Sequence, residues 1–187
     1  MASKYRGNQV RIIAGQWRGR RVTLPDVVEL RPTGDRIRET LFNWLQPELA
    51  GTRCLDLFAG SGVLGLEAAS RGAASVVLVE QDPSVCRQLR ATLVALHAVD
   101  DVTLVERDAL AYLAGPPQPY DVVFLDPPFA GSLLPVVSHA LHAGDWLAPG
   151  AKIYVERRAD ARDELPPWTL LKEKIQGKVR FTLYGNV

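Results

Sequence analysis

Two short stretches hold the side chains with the most chemical promise: Asp126-Pro127-Pro128-Phe129, and Cys54-Leu-Asp-Leu-Phe-Ala-Gly-Ser-Gly-Val-Leu-Gly65. In the first, the prolines fix φ and remove N–H donors, which leaves a stiff turn with free carbonyls. Such a turn suits a planar exocyclic amine: the Asp126 carboxylate and the Pro127 carbonyl accept its two N–H bonds, and Phe129 stacks on the base that carries it. Hydrogen bonds that favour a pyramidal nitrogen localise a lone pair otherwise delocalised into the ring, ready for in-line attack on an electrophilic methyl group. Most of the catalysis is then positioning. The surplus proton leaves afterwards through Asp126 or water. The competing interpretation is a rigid loop that merely ends a strand.

The second stretch passes from an apolar run through Asp56 into a glycine turn and resumes as a helix. Gly60, Gly62 and Gly65 make the G-x-G-x-x-G spacing of nucleotide sites, a weak signal alone. Asp56 sharpens it, because a carboxylate there repels a pyrophosphate and attracts a cation. S-adenosyl-L-methionine carries an ammonium and a sulfonium, and its sulfonium methyl is the electrophile that the first stretch requires. Phe58, Gly60 and Gly62 are expected to border this cofactor. Glu80, twenty positions after Gly60, is placed to accept from a ribose diol. Gln81 borders the adenine, Asp108 accepts from its amino group, and the Ala109 N–H donates. The alternative for the turn is glycine needed for packing only, and for each acid a surface carboxylate at a strand end.

The elements that must position these groups alternate strand and helix signals. Strands are expected at about 53–57, Ser75–Glu80, Val102–Glu106, Tyr120–Leu125 and Lys152–Glu156. Helices are expected at about 62–71, Pro83–His97, Ala109–Leu113 and Leu133–His142. Near-continuous apolar strands separated by helices imply a parallel sheet covered on both faces. Ligands bind such sheets beyond the carboxyl ends of the strands, where strand order reverses, which places Asp56 and Asp126 on neighbouring strand tips. A helix precedes the sheet, with Ile37, Leu41, Trp44 and Leu45 on one face and Thr33 or Asp35 as its N-cap. The chain ends differently, with two strands around Gly177 and no helix between them, an antiparallel hairpin. The fold class is therefore α/β, a Rossmann-like, mostly parallel sheet with an antiparallel C-terminal hairpin, the layout of class I methyltransferases.

The chain has 187 residues, enough for one domain with a full core. No apolar run approaches the roughly 20 residues of a membrane span, and the polar, basic start has no signal-peptide pattern. Cys54 and Cys86 lack metal-ligand spacing, and the three histidines lie outside the motifs, so neither a metal nor a membrane is expected, and the location is cytoplasmic.

The formal net charge of +1 hides an asymmetry: residues 1–53 hold ten Lys/Arg against five Asp/Glu, the remainder twelve against sixteen. Runs Gln9–Ala14 and Arg20–Leu24 suggest a small basic β-hairpin, so residues 1–30 are expected as an N-terminal extension on a domain of residues 31–187. Arg11, Arg18, Arg20 and Arg21, with Trp17 interleaved, suit phosphate contacts plus base stacking on RNA. Trp17 can equally pack the hairpin onto the domain.

These residues together resemble the bacterial small-subunit (16S) ribosomal RNA guanine-N2 methyltransferase family. The similarity runs nearly end to end through Arg11–Arg20, Arg31–Trp44, Asp56–Gly65 and Phe124–Phe129. The first two blocks are specific to the family; the last two recur among amino-methyltransferases, some of which have Asn where this chain has Asp126. The resemblance implies S-adenosyl-L-methionine as donor and one guanine N2 of 16S rRNA as acceptor, within an assembling small ribosomal subunit. It also implies that Thr33 and Arg36 lie near the methionine end of the cofactor. Two alternatives stay open: methylation of adenine N6 in DNA or RNA, which the Asp-Pro-Pro-Phe motif equally allows, and a non-catalytic RNA-binding assembly factor.

Overall fold

A computed structural model describes residues 9–24, 34–128 and 133–186. Seven strands form one sheet in the order β5 (Val102–Glu106), β4 (Ser75–Glu80), β3 (Arg53–Asp56), β6 (Tyr120–Leu125), β7 (Leu147–Arg158), β9 (Val179–Gly185) and β8 (Thr169–Gln176). The pairs among β3 to β7 are parallel, and β9 runs antiparallel to both β7 and β8. The chain winds outward from β3 to β5, returns to β6 and winds the other way. The reversal therefore falls between β3 and β6, whose Asp56 and Phe124 are register partners.

Alternate residues of these strands serve two cores. Cys54, Val76, Leu78, Phe124 and Tyr154 point toward α1 (Asp35–Leu45), α2 (Val63–Ser70) and α3 (Pro83–Leu96); Leu55, Val79, Val123, Leu125 and Val155 point toward α4 (Ala109–Leu113) and α5 (Leu133–Ala143). The central strands β3, β4 and β6 are thus covered on both faces, which is why they read as near-continuous apolar runs, whereas β8 at the edge is exposed along its length. Both cysteines are free and buried, and burial pushes the Cys54 thiol up to about 12, so they act as packing groups.

A two-stranded ribbon, β1 (Gln9–Arg11) with β2 (Arg21–Thr23), packs on the first face. Its Val10, Ile12, Trp17 and Val22 join the same core as α1, α2 and α3. Every residue of α2 is consequently buried, with the sheet on one side and the ribbon on the other.

Two boundaries differ from expectation. Strand β1 stops at Arg11 because the N–H groups of Ile13 and Ala14 turn away to the Glu67 carboxylate on α2. Strand β7 begins at Leu147 rather than Lys152: the pairing with β6 runs through Pro149 and Gly150 with a register shift, and Gly150 takes a φ of +74°. The α1 N-cap is Gly34, with Asp35 in the first turn instead of at the cap; Thr33 lies outside the described residues.

Candidate active site at the carboxyl ends of the strands

Four acidic residues line up along one end of the sheet: Asp108 just past β5, Glu80 ending β4, Asp56 ending β3 and Asp126 just past β6. Asp56 is 1% exposed and accepts long hydrogen bonds from the N–H groups of Phe58 at 3.4 Å and Gly65 at 3.3 Å. These bonds compensate burial poorly. Desolvation pushes its carboxyl up to about 7, and the nearby Glu80 charge pushes in the same direction. Glu80 is half-buried; it accepts from Gly60 N–H at 2.9 Å and from Asp82 N–H at 2.8 Å, which ties the glycine turn to the end of β4. Asp108 is exposed and caps α4, one oxygen accepting from Ala111 N–H at 3.0 Å, with Ala109 buried behind it.

Among the described residues no Lys or Arg forms an ion pair with Asp56, Glu80 or Asp108. Three carboxylates on adjacent strand tips with no protein cation among them create a negative field that a cationic ligand relieves. Phe58 is half-buried against the second core, and Gln81 is exposed beside Glu80. Gly62 adopts φ +76° at the start of α2, and a Cβ there would lie 2.6 Å from Leu89 Cδ2; one on Gly65 would lie 2.3 Å from Leu78 Cδ2. Packing alone accounts for those two glycines, whereas Gly60 lends its N–H to Glu80.

Asp126 is partly exposed and Pro127 buried at the tip of β6, one strand from Asp56; Phe129 lies outside the described residues. Two residues that sequence reasoning missed stand beside this motif. Tyr154, the register partner of Phe124, donates to Glu156 Oε2 at 2.8 Å, and both are buried. Burial, together with the charges of Glu156 and Asp126, drives the Tyr154 phenol well above its usual range. The phenol therefore stays protonated and holds Glu156 in place.

The ribbon is tied to this centre through α2. Glu67 accepts from Ile13 N–H at 2.8 Å, Ala14 N–H at 3.0 Å, Arg71 Nε at 2.8 Å and Arg38 Nη1 at 3.4 Å. Ser70 accepts from Trp17 N–H at 3.0 Å and donates to Ala14 O at 2.6 Å. Of the two readings of Trp17, base stacking and packing of the ribbon onto the domain, its burial fits the second: its side chain fills the core between the ribbon and the domain, so its faces are not presented to a base. Arg11, Arg18, Arg20 and Arg21 are exposed, with Arg11 Nε 3.6 Å from Asp35 and Arg20 donating to Ala95 O at 2.7 Å. Arg36 is exposed on α1; the buried arginine of that helix is Arg38. An acid in a helix otherwise apolar except for Ser70, as Glu67 is, was the signal that could have revealed this network.

A cleft at the opposite end of the strands, lined by Glu48, Thr52, Asp121 and Lys152, is remote from all of these groups. No group of His, Cys, Asp and Glu able to hold a metal ion occurs among the described residues, and none of their helices is long and apolar enough to cross a membrane.

A family model described as conserved hypothetical protein 95 matches residues 10–185. An Escherichia coli relative, "Ribosomal RNA small subunit methyltransferase D", is 47% identical over 180 residues, covering 94% of this chain and 89% of its own. A Haemophilus influenzae relative of the same name is also 47% identical, covering 95% and 94%. The chain belongs to this family. It is accordingly a methyltransferase, and its sheet with the terminal antiparallel hairpin is the class I form. The solved structure of the Escherichia coli protein yhhF superimposes with a TM-score of 0.88 at 45% identity, over 95% of this chain and 97% of that one.

Proposed function

We propose that the chain transfers the methyl group of S-adenosyl-L-methionine to the exocyclic N2 of one guanine in 16S rRNA, in the cytoplasm, during assembly of the small ribosomal subunit. The observation that carries this reading is the row of unneutralised carboxylates Asp56, Glu80 and Asp108, adjoining the Asp126-Pro127 turn on the next strand. The donor set fits the cofactor: a buried acid for its cationic end, Glu80 for its ribose hydroxyls, and Gln81, Asp108 and Ala109 for its adenine. Phe58, Gly60 and Gly62 border it, and Thr33 and Arg36 attend its methionine end. When bound, the cofactor supplies a sulfonium methyl, already electrophilic.

The protein's own part is placement. Asp126 and the Pro127 carbonyl accept the two N–H bonds of the amine, and Phe129 supports the base. With the donor bound, the methyl group would pass to the amine nitrogen as the donor departs as the neutral thioether, and Asp126 or water would take the amine's extra proton. Arg11, Arg18, Arg20 and Arg21 on the ribbon contact RNA phosphates. The names of the relatives support rRNA as the acceptor.

Incubation with labelled S-adenosyl-L-methionine and unmodified small subunits or naked rRNA, followed by nuclease digestion and mass spectrometry, tests this. N2-methylguanosine at one site is the expected product. N6-methyladenosine, or no transfer to either RNA substrate, overturns the assignment.

A further inference from the structure

We propose that Arg157 and Arg180 form a phosphate-binding site for the substrate RNA backbone, beside the amine site. The two are register partners on the antiparallel strands β7 and β9, so like charges face each other directly, an arrangement that destabilises a sheet unless an anion lies between them. Each arginine has one acid only at the outer limit of an ion pair: Asp163 Oδ2 is 3.9 Å from Arg157 Nη1 and Glu173 Oε2 is 3.9 Å from Arg180 Nη1, both beyond hydrogen-bond distance. The remaining contacts are Arg157 to Asp163 O at 3.5 Å and to Tyr184 Oη at 3.4 Å, and Arg180 to Ala159 O at 2.9 Å.

The Nε of each arginine is buried without a hydrogen-bond partner, and so is the hydroxyl of Thr182, which shares the Arg180 face of β9. The forked ends of the two arginine side chains, 11% and 28% exposed, match the oxygens of a phosphate, while Thr182 stays buried beneath them. The position suits RNA. Arg157 stands two residues beyond Val155, as Pro127 stands two beyond its register partner Leu125. Arg157 and Arg180 therefore sit one and two strand spacings, about 5 and 10 Å, to the side of the β6 tip. A backbone phosphate next to the extruded nucleotide falls within that reach.

This inference rests on the assignment of rRNA as acceptor, and the experiment separates the two. Methyl transfer to rRNA is measured with wild-type protein and with the Arg157→Gln/Arg180→Gln double variant, across a salt series, together with S-adenosylhomocysteine binding. A double variant with a KM for RNA raised tenfold or more, kcat within twofold and unchanged S-adenosylhomocysteine affinity supports the site. The salt slope should also fall by about 0.7 for each phosphate that the variant no longer neutralises. An unmoved KM and salt slope in an active enzyme overturns this inference alone; a wild-type protein inactive on rRNA overturns both readings. Phenylglyoxal labelling of the wild-type protein needs no variant: RNA is expected to protect Arg180, and labelling unchanged by RNA overturns the proposal.

Discussion

Arg38 Nη1 lies 3.4 Å from Glu67 Oε2, and neither side chain has any solvent exposure. The pair joins α1 to α2, and because Glu67 also accepts from Ile13 and Ala14, it fastens the ribbon to the helix that opens from the glycine turn. Removing the acid strands buried donors on three elements at once. Glu67→Ala is expected to destabilise the protein by about 3–5 kcal/mol, read from urea unfolding. Arg38→Met loses the contacts with Asp35 and the Arg11 carbonyl but leaves Glu67 its two backbone donors and Arg71, so it should cost less. An equal or larger loss in Arg38→Met contradicts this ordering.

Gly15 seats the ribbon against the end of α2. Its φ is +82°, and a Cβ there would stand 1.7 Å from the Ser70 carbonyl oxygen, a backbone atom that cannot swing aside. Gly15→Ala should therefore lift the ribbon, break the bond from Gln16 N–H to Ser70 O, and cost at least about 2 kcal/mol. Trp17 leaves the core as this happens, so a red-shifted tryptophan emission with weakened RNA binding is expected. A wild-type emission spectrum counts against it.

Asp56 gives the protein a signed pH response. Its native carboxyl titrates at about 7, above the ordinary carboxylate value of 3.8. Between these values the native state binds more protons than the unfolded state, so ligand-free stability falls as pH rises from about 4 to about 7, by up to about 4 kcal/mol. Asp56→Asn should raise the melting temperature at pH 8 and leave it unchanged at pH 5, while weakening cofactor binding. A cationic ligand also draws the proton off Asp56. Calorimetric titration with S-adenosyl-L-methionine at pH 6 in two buffers of different ionisation enthalpy should register proton release, and identical heats in both argue against a cation beside this carboxylate.

Asp126 is expected to matter for rate rather than for folding, since it is partly exposed at a strand tip. Asp126→Ala should lower kcat by about 10²–10³-fold, the usual loss for a preorganised polar group aimed at the reacting atoms, with cofactor affinity held within twofold. Methyl transfer at close to the wild-type rate refutes its role.

Replacing Arg18, Arg20 and Arg21 by Ala should weaken RNA binding and flatten its salt dependence, by about 0.7 in slope for each phosphate neutralised on a single strand. Cofactor affinity should not move, because the three side chains are exposed on the ribbon. An unchanged salt slope assigns the ribbon to structure alone.

The sequence by itself determined the sheet and its working end. The apolar runs of β3, β4 and β6 are largely buried on both faces, so their composition alone names them, and Asp56, Glu80, Asp108 and Asp126 stand at or within two residues of the ends of β3, β4, β5 and β6. The terminal hairpin was equally legible from two strands around one glycine. What the sequence could not settle were contacts between residues far apart in the chain. From the sequence Trp17 reads equally as a base-stacking partner of the arginines or as a packing group; the fold buries the ring and exposes the cations, because burial depends on the α2 surface some fifty residues later, where Glu67 and Ser70 accept from the ribbon's backbone donors. Arg157 and Arg180 likewise look like ordinary surface charges until β7 and β9 pair and set them face to face. Periodicity reports which side of its own element a residue occupies; only tertiary packing decides what stands opposite it.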